Sequence, residues 1–202
     1  MFMRRFIQLQ FGLCLYGVAA AMMVRANLGL DPWNVFHQGL SLRTGMSLGT
    51  ASILMGVVVM LTWIPLRQKP GIGTLFNIFV IGLSMDAALA VMPEMTTLPL
   101  RLAFMAGGVV LTAVGAAAYI GAGMGTGPRD GLMVGLNQRL GWSIRVSRML
   151  IELSVLAGGW LLGGSVGVGT IVFAVGIGPL IQIFLPWFQS LAREGAPARA
   201  SA

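Results

Sequence analysis

Two carboxylic acids stand inside stretches that otherwise hold almost nothing but lipid-soluble side chains: Asp86 in Ile72–Met92 and Glu152 in Met149–Leu162. An ionisable group in such a run is costly unless it faces a protein interior or water, so it marks a proton or cation path or a structural pair. Glu152 has Arg148 four residues before it, the spacing of a helical ion pair. Asp86 has no such neighbour and is the leading candidate for handling protons or cations. A different chemistry is offered by Ala26-Asn27-Leu28-Gly29-Leu30-Asp31-Pro32-Trp33 and Ala122-Gly123-Met124-Gly125-Thr126-Gly127-Pro128-Arg129. In both, glycines free the backbone, and Pro32 or Pro128 then stands at a helix start, where its missing N–H costs nothing. Asp31 suits the N-cap, and Asp130 falls in the first turn of the second helix. Free N–H groups and a positive dipole end at such a start suit a bound anion.

The elements that must carry these groups are membrane helices. Hydrophobic residues make up 56% of the 202-residue chain, charged residues 9%, and the mean hydropathy is +0.86. A soluble domain carries about 25% charged residues. The apolar runs Phe6–Val24, Leu48–Leu66, Ile72–Met92, Leu102–Ile120, Met149–Leu162 and Val166–Phe188 predict six spans, set against the roughly 20 residues a bilayer needs. Met149–Leu162 is short, and qualifies through its likeness to Leu48–Leu66. The lone Cys14 excludes an intrachain disulfide.

That likeness is general. Shifted by 96 residues without a gap, Arg5–Asp86 matches Arg101–Gln182 at 22 of 82 positions, against about seven for random matching at this composition. Matches such as Gly29/Gly125, Pro32/Pro128, Gly45/Gly141, Gly73/Gly169 and Thr74/Thr170 are set by backbone geometry, not greasiness. Asp86 itself aligns with Gln182, which places a hydrogen-bonding group at the same level of both halves. The chain thus reads as a three-helix repeat over 1–96, a second over 97–190, and a disordered cytoplasmic tail over 191–202. The opening run resembles a signal peptide, but its recurrence as the fourth run predicts that it is retained.

With a cytoplasmic N-terminus, Arg4, Arg5, Arg67, Lys69, Arg129, Arg139, Arg145, Arg148, Arg193 and Arg199 fall on the inner face, and Arg25, Arg43 and Arg101 on the outer. This positive-inside bias places both termini in the cytoplasm of a bacterial inner membrane. It also accounts for the net charge of +7 without a nucleic-acid partner. Three spans per repeat is an odd number, so the second repeat enters from the opposite face. The expected fold is all-α, two inverted three-helix repeats, each with a short helix after its first span.

Those short helices have two readings. As interfacial helices they lie in the headgroup layer with Arg43 and Arg139 reaching phosphate. As re-entrant half-helices they dip inward, which requires burial in protein or a wet cavity. The interfacial or shallow placement is preferred, because Arg, His and Gln are costly at depth. His37 reads as polar surface on such a helix. Trp33, Trp63, Trp142, Trp160 and Trp187 sit near predicted helix ends, as an aromatic belt does. Gly71-Ile72-Gly73-Thr74 and Gly167-Val168-Gly169-Thr170 suit close packing, and Pro179 should kink the last helix. The one Met-x-x-Met, Met92–Met95, gives little ground for copper, and no zinc spacing, nucleophile elbow or phosphate loop occurs. An enzyme and a cofactor are therefore not expected.

The Gly-x-x-Pro lead-in to a short helix, Thr-Gly-x-Ser-x-Gly at Thr44–Gly49 and the Gly-x-Gly-Thr that opens the third long helix resemble the YczE/YitT group of bacterial multipass membrane proteins. The likeness runs from about Arg5 to Phe188. The second copy departs from it, since Leu140-Gly141-Trp142-Ser143-Ile144-Arg145 lacks the threonine and the last glycine. The resemblance implies an inner-membrane protein and transfers no site residues. Two function classes follow. One is a small-solute transporter or permease, its substrate or ion site drawn from Asp86, Gln182, Asp31, Pro32, Pro128, Asp130 and Glu152. The other is a membrane scaffold or regulator acting through basic cytoplasmic loops. Expected partners are the lipid bilayer, a small molecule or ion in the first case, and a second copy through glycine-rich faces.

Overall fold

The computed structural model describes residues 2–193, and every described element is helical. In chain order these are α1 (Phe2–Ala26), α2 (Pro32–Thr44), α3 (Leu48–Leu61), α4 (Trp63–Leu66), α5 (Ile72–Val91), α6 (Leu98–Gly121), α7 (Pro128–Leu140), α8 (Ile144–Leu161) and α9 (Val168–Arg193). Five stretches are long and apolar enough to cross a membrane: α1, α3 with α4, α5, α6 and α9. The 18-residue α8 carries Arg145, Arg148 and Glu152 and is not among them. The chain is a multipass membrane protein by these helices. The tail expected at 191–202 is still helical through Arg193, and its remainder lies outside the described residues.

Local chemistry sets the helix ends. Pro32 and Pro128 open α2 and α7, and the two helices stop at Gly45 and Gly141, both left-handed at φ 75° and 70°. Asp31 caps α2, Ser47 caps α3 through Thr50 N–H, and Ser143 caps α8 through Val146 N–H. Side-chain acceptors of this kind satisfy N–H groups that the helix leaves open. Pro179 and Pro186 both fall within a continuous α9.

At the centre α1 packs against α6, and half or more of each span is buried (50% and 56%), against 22–28% for α3, α5 and α9. The outer spans turn Leu75, Phe79, Leu83, Ile171, Val175 and Ile183 outward, the surface that lipid requires and water penalises. The α1–α6 crossing is close because glycine lines it. A Cβ on Gly12 would sit 2.6 Å from the Tyr119 nitrogen and 2.7 Å from the Gly115 oxygen. On α6, a Cβ on Gly108 would meet Met23 and the Ala19 oxygen at 2.7 and 3.1 Å. These two contacts exchange under the 96-residue shift: 12 with 115 and 119 becomes 108 with 19 and 23. Residue numbers rise along α1 as they fall along α6, so the two helices run antiparallel.

The same exchange recurs in the loops. Gly73 N–H donates to the Met124 carbonyl at 2.9 Å, and Gly169 N–H to the Leu28 carbonyl at 2.7 Å. Each Gly-x-Gly-Thr segment therefore grips the loop of the other half, the packing role its small residues suggest. Gly29 and Gly125 meet these segments with φ of 108° and 136°, which side chains rarely adopt. Between α3 and α5 the exchange fails. Gly82 is pressed by Ile53 and the Gly49 oxygen, whereas a Cβ on its counterpart Gly178 would meet nothing within 4 Å.

Candidate functional site

The starts of α2 and α7 border one cleft. Its walls are Tyr16 of α1, Asp31 with Trp33, Asn34 and His37 of α2, Ser52, Gly56 and Val59 of α3, Asn77, Ile78 and Ile81 of α5, and Pro128 with Arg129 of α7; its cavity volume is about 70 Å³, and it opens to solvent at its mouth.

Three features of the sequence assemble it. The proline that starts α7 puts Arg129 in the first turn, and Trp63 fixes that turn by donating from Nε1 to the Pro128 carbonyl at 2.9 Å while its ring fills the space over Gly131. Arg129 is half-buried. Its guanidinium donates to the Tyr16 hydroxyl and lies 5.7 Å from that ring's centroid, in cation–π range. No carboxylate touches it: the ion pairs among the described residues are Arg25–Glu94 at 3.6 Å and Arg148–Glu152 at 3.0 Å.

On the α2 side Asp31 is 3% exposed and accepts from Asn34 twice, from the backbone N–H at 3.3 Å and from Nδ2 at 2.5 Å. With Nδ2 so engaged, Asn34 Oδ1 accepts from His37 Nδ1 at 3.3 Å. That fixes the neutral tautomer and leaves His37 Nε2 as a bare acceptor. Burial pushes the Asp31 carboxyl up, opposed by the Arg129 charge and the Asn34 hydrogen bonds. Burial, with Arg129 adding to it, lowers His37 to about 3.

His37 therefore contributes a definite pH dependence. The unfolded imidazole takes a proton near pH 6.5 and the folded one only near 3, so in that window the unfolded state binds more protons and stability falls with falling pH. The slope reaches about 1.4 kcal/mol per pH unit. Melting curves of detergent-purified protein at pH 7 and pH 5 should show the wild type losing more than His37→Gln.

The candidates read from sequence separate into distinct places. Asp31, Pro32 and Pro128 lie at the two helix starts, and Asp31 and Pro128 line the cleft. Asp130 accepts from the Tyr119 hydroxyl at 3.3 Å, one residue beyond Arg129. Asp86 is engaged elsewhere, accepting from Ser47 Oγ at 2.5 Å and Gly49 N–H at 2.7 Å, and it ties α5 to the start of α3. Asp86→Asn should lower stability by about 1–2 kcal/mol, read as a lower melting temperature; Ser47→Ala should lower it as well, and the double variant should fall short of the sum by the bond the two residues share. Gln182 is exposed on α9. Glu152 pairs with Arg148 at 3.0 Å, as their spacing suggests.

The cleft also holds residues that the sequence reading gave other work. His37 is 7% exposed and not polar surface. Trp33 and Trp63 are 7% and 3% exposed and belong to the interior, while Trp142, Trp160 and Trp187 face outward. Arg129, counted with the inner-face arginines, borders the cleft. Tyr16 drew no attention as one aromatic among apolar neighbours. A signal for them lay in the repeat: under the 96-residue shift Arg129 meets Trp33, His37 meets Met133 and Asn77 meets Phe173. Phe173 sits in an apolar cluster with Leu30, Val35 and Ile177, so the matching place in the second half is filled with hydrocarbon.

Comparison with known proteins agrees with the membrane assignment. Residues 3–186 match a family described as "Family of unknown function (DUF6198)". An uncharacterized protein of Haemophilus influenzae is 42% identical over 177 residues, 88% of this chain and 81% of that one. The uncharacterized membrane protein YczE of Bacillus subtilis is 33% identical, covering 93% and 87% of the two chains. YyaS of the same organism is 25% identical over 87% and 89%. No solved structure matches.

Proposed function

The chain belongs to that family, and we propose that it carries a small polar solute across a bacterial inner membrane, with the cleft as its binding site. The observation that carries this reading is Arg129: a guanidinium lining a cleft inside a helical bundle, hydrogen-bonded to a neutral hydroxyl, with the charges of Asp130 and Asp31 nearby but no described carboxylate within 4.0 Å. A charge in such surroundings is costly without a partner. In a protein that only fills the membrane, selection for stability disfavours it. In a carrier the solute is the partner.

The architecture we propose around the site is six spans in two inverted three-helix repeats, with α8 as the sixth span. Exchange of contacts under the 96-residue shift supports it, as does the antiparallel α1–α6 pair, which is what an axis in the membrane plane requires. The α2 and α7 starts then enter from opposite faces as re-entrant half-helices, their irregular backbone lining a wet cavity as depth demands. Both termini are cytoplasmic, following the arginine bias. Ser47, Gly49 and Asp86 hold α3 to α5, while Gly178 at the matching place on α9 stands clear. This inequality of the halves is what alternating access needs, with each half adopting the other's arrangement in turn.

Ser52→Cys on a Cys14→Ser background tests the reading. In oriented membrane vesicles, a membrane-impermeant maleimide should label Cys at position 52 from one face, and labelling should slow when the transported solute is present. A bundle packed solid, as a scaffold acting through its basic loops can be, gives no labelling from either face.

A further inference from the structure

We infer that the cleft takes a small zwitterion, an amino-acid-like molecule that carries a carboxylate and an ammonium group on one short frame. The inference rests on the solute-carrier reading and specifies its substrate class. Arg129 and Asp31 border the same cleft with opposite charge, yet no ion pair joins them within 4.0 Å. Each is hydrogen-bonded to neutral partners: Arg129 to the Tyr16 hydroxyl, Asp31 to Asn34. Two opposite charges kept apart across an opening form a receptor for a molecule with one charge at each end.

The remaining polar groups fit the same ligand. Trp33 is 93% buried by its 7% exposure, and its indole N–H has no acceptor in the structure. Trp33 lines the cleft, and the Arg129 guanidinium gives a carboxylate a bidentate pair. At the other end, Asp31 and the His37 Nε2 lone pair are two acceptors, matched to an ammonium's N–H groups. Of the other cleft walls, Ser52 and Asn77 are polar, while Gly56, Val59, Ile78 and Ile81 are apolar and would face the ligand's side chain. Asp130 does not line the cleft and accepts from Tyr119, although its charge also acts on Arg129; of the residues that line the cleft, Arg129 and Asp31 carry the opposite charges. A simple anion would leave Asp31 unpaired and repelled, and a simple cation would do the same to Arg129, which is the cost that selects against each.

Thermal stabilisation of the full chain in detergent tests this with valine and leucine, set beside isovalerate, isobutylamine and isobutanol, which keep valine's branched end and remove one or both charges. Valine and leucine should raise the melting temperature saturably, as a ligand bound by the folded state must, and the single-charge and neutral analogues should not at equal concentration. Asp31→Asn and Arg129→Lys should each weaken the amino-acid response at least tenfold. If either variant fails to elute as folded protein, the wild-type panel decides alone. Isovalerate or isobutylamine acting as strongly as valine overturns the zwitterion while leaving a solute site. A response that survives both substitutions overturns the placement. Silence across this panel and across a wider set of sugars, phosphates and organic acids overturns the carrier reading with it.

Discussion

Gly12→Ala should lower the melting temperature of the protein by roughly 5–10 °C, and Gly12→Leu should leave no folded protein to measure. The added methyl of alanine meets main chain, the Tyr119 nitrogen at 2.6 Å and the Gly115 oxygen at 2.7 Å. A side chain in the way can rotate aside, but a helix backbone cannot, so α1 and α6 must separate. Overpacking a well-filled site costs about 1–3 kcal/mol, and for a chain of this length each kcal/mol moves the midpoint by about 2–4 °C. The crossing is central, with Leu9, Leu13, Ala116 and Ala118 all within 3% of complete burial, so separation opens the core and not an edge. Gly178→Ala is the matched control. It adds the same methyl where nothing lies within 4 Å, and helix propensity alone makes it neutral or stabilising by up to about 1 kcal/mol. Size-exclusion profiles and melting curves of the three variants in one detergent give the comparison. Equal loss at both alanine sites would mean that the crossing is not the tight point.

The residues behind that prediction show which parts of this structure are readable without coordinates. Helix starts at Pro32 and Pro128 and stops at Gly45 and Gly141 are legible because each obeys a rule local to a few residues of backbone. The short helices, the apolar runs and the Arg148–Glu152 pair are legible for the same reason. What escapes is whatever depends on a partner far along the chain. Trp63 is near a predicted helix end, the place of a belt tryptophan, but Gly131 leaves a hollow that its ring enters, and those residues are 68 positions apart. Asp86 looks unpaired because its partners, Ser47 and Gly49, lie on another helix. Arg129 reads as a loop arginine because arginines near a helix end usually meet water or phosphate. Its difference shows only when the halves are compared: a duplicated unit that keeps its glycines and prolines yet trades Trp33 for Arg129 and Asn77 for Phe173 has made one half polar where the other is sealed.

The role assigned to Arg129 makes an asymmetric prediction for Arg129→Met. Transport or binding of the solute should fall at least 100-fold, a loss of about 2.7 kcal/mol or more, because a charge-assisted bidentate contact has no substitute in a thioether. Stability should move far less than function. Among the described residues Arg129 makes one hydrogen bond and one cation–π contact, both to Tyr16, and no ion pair within 4.0 Å, though the charges of Asp130 and Asp31 act on it. Losing that bond costs about 0.5–1.5 kcal/mol, and methionine recovers part of it by filling the space of the arginine stem without bringing a charge out of water. The net shift in melting temperature should stay within about 4 °C. A structural arginine predicts the reverse: a large drop in melting temperature, with activity per folded molecule preserved. Measuring both on the same preparation separates the two roles. Arg129→Lys sharpens the comparison, since it keeps the charge but not the planar fork. If geometry at the carboxylate matters, lysine should recover little of the lost affinity. If charge alone matters, it should recover most of it.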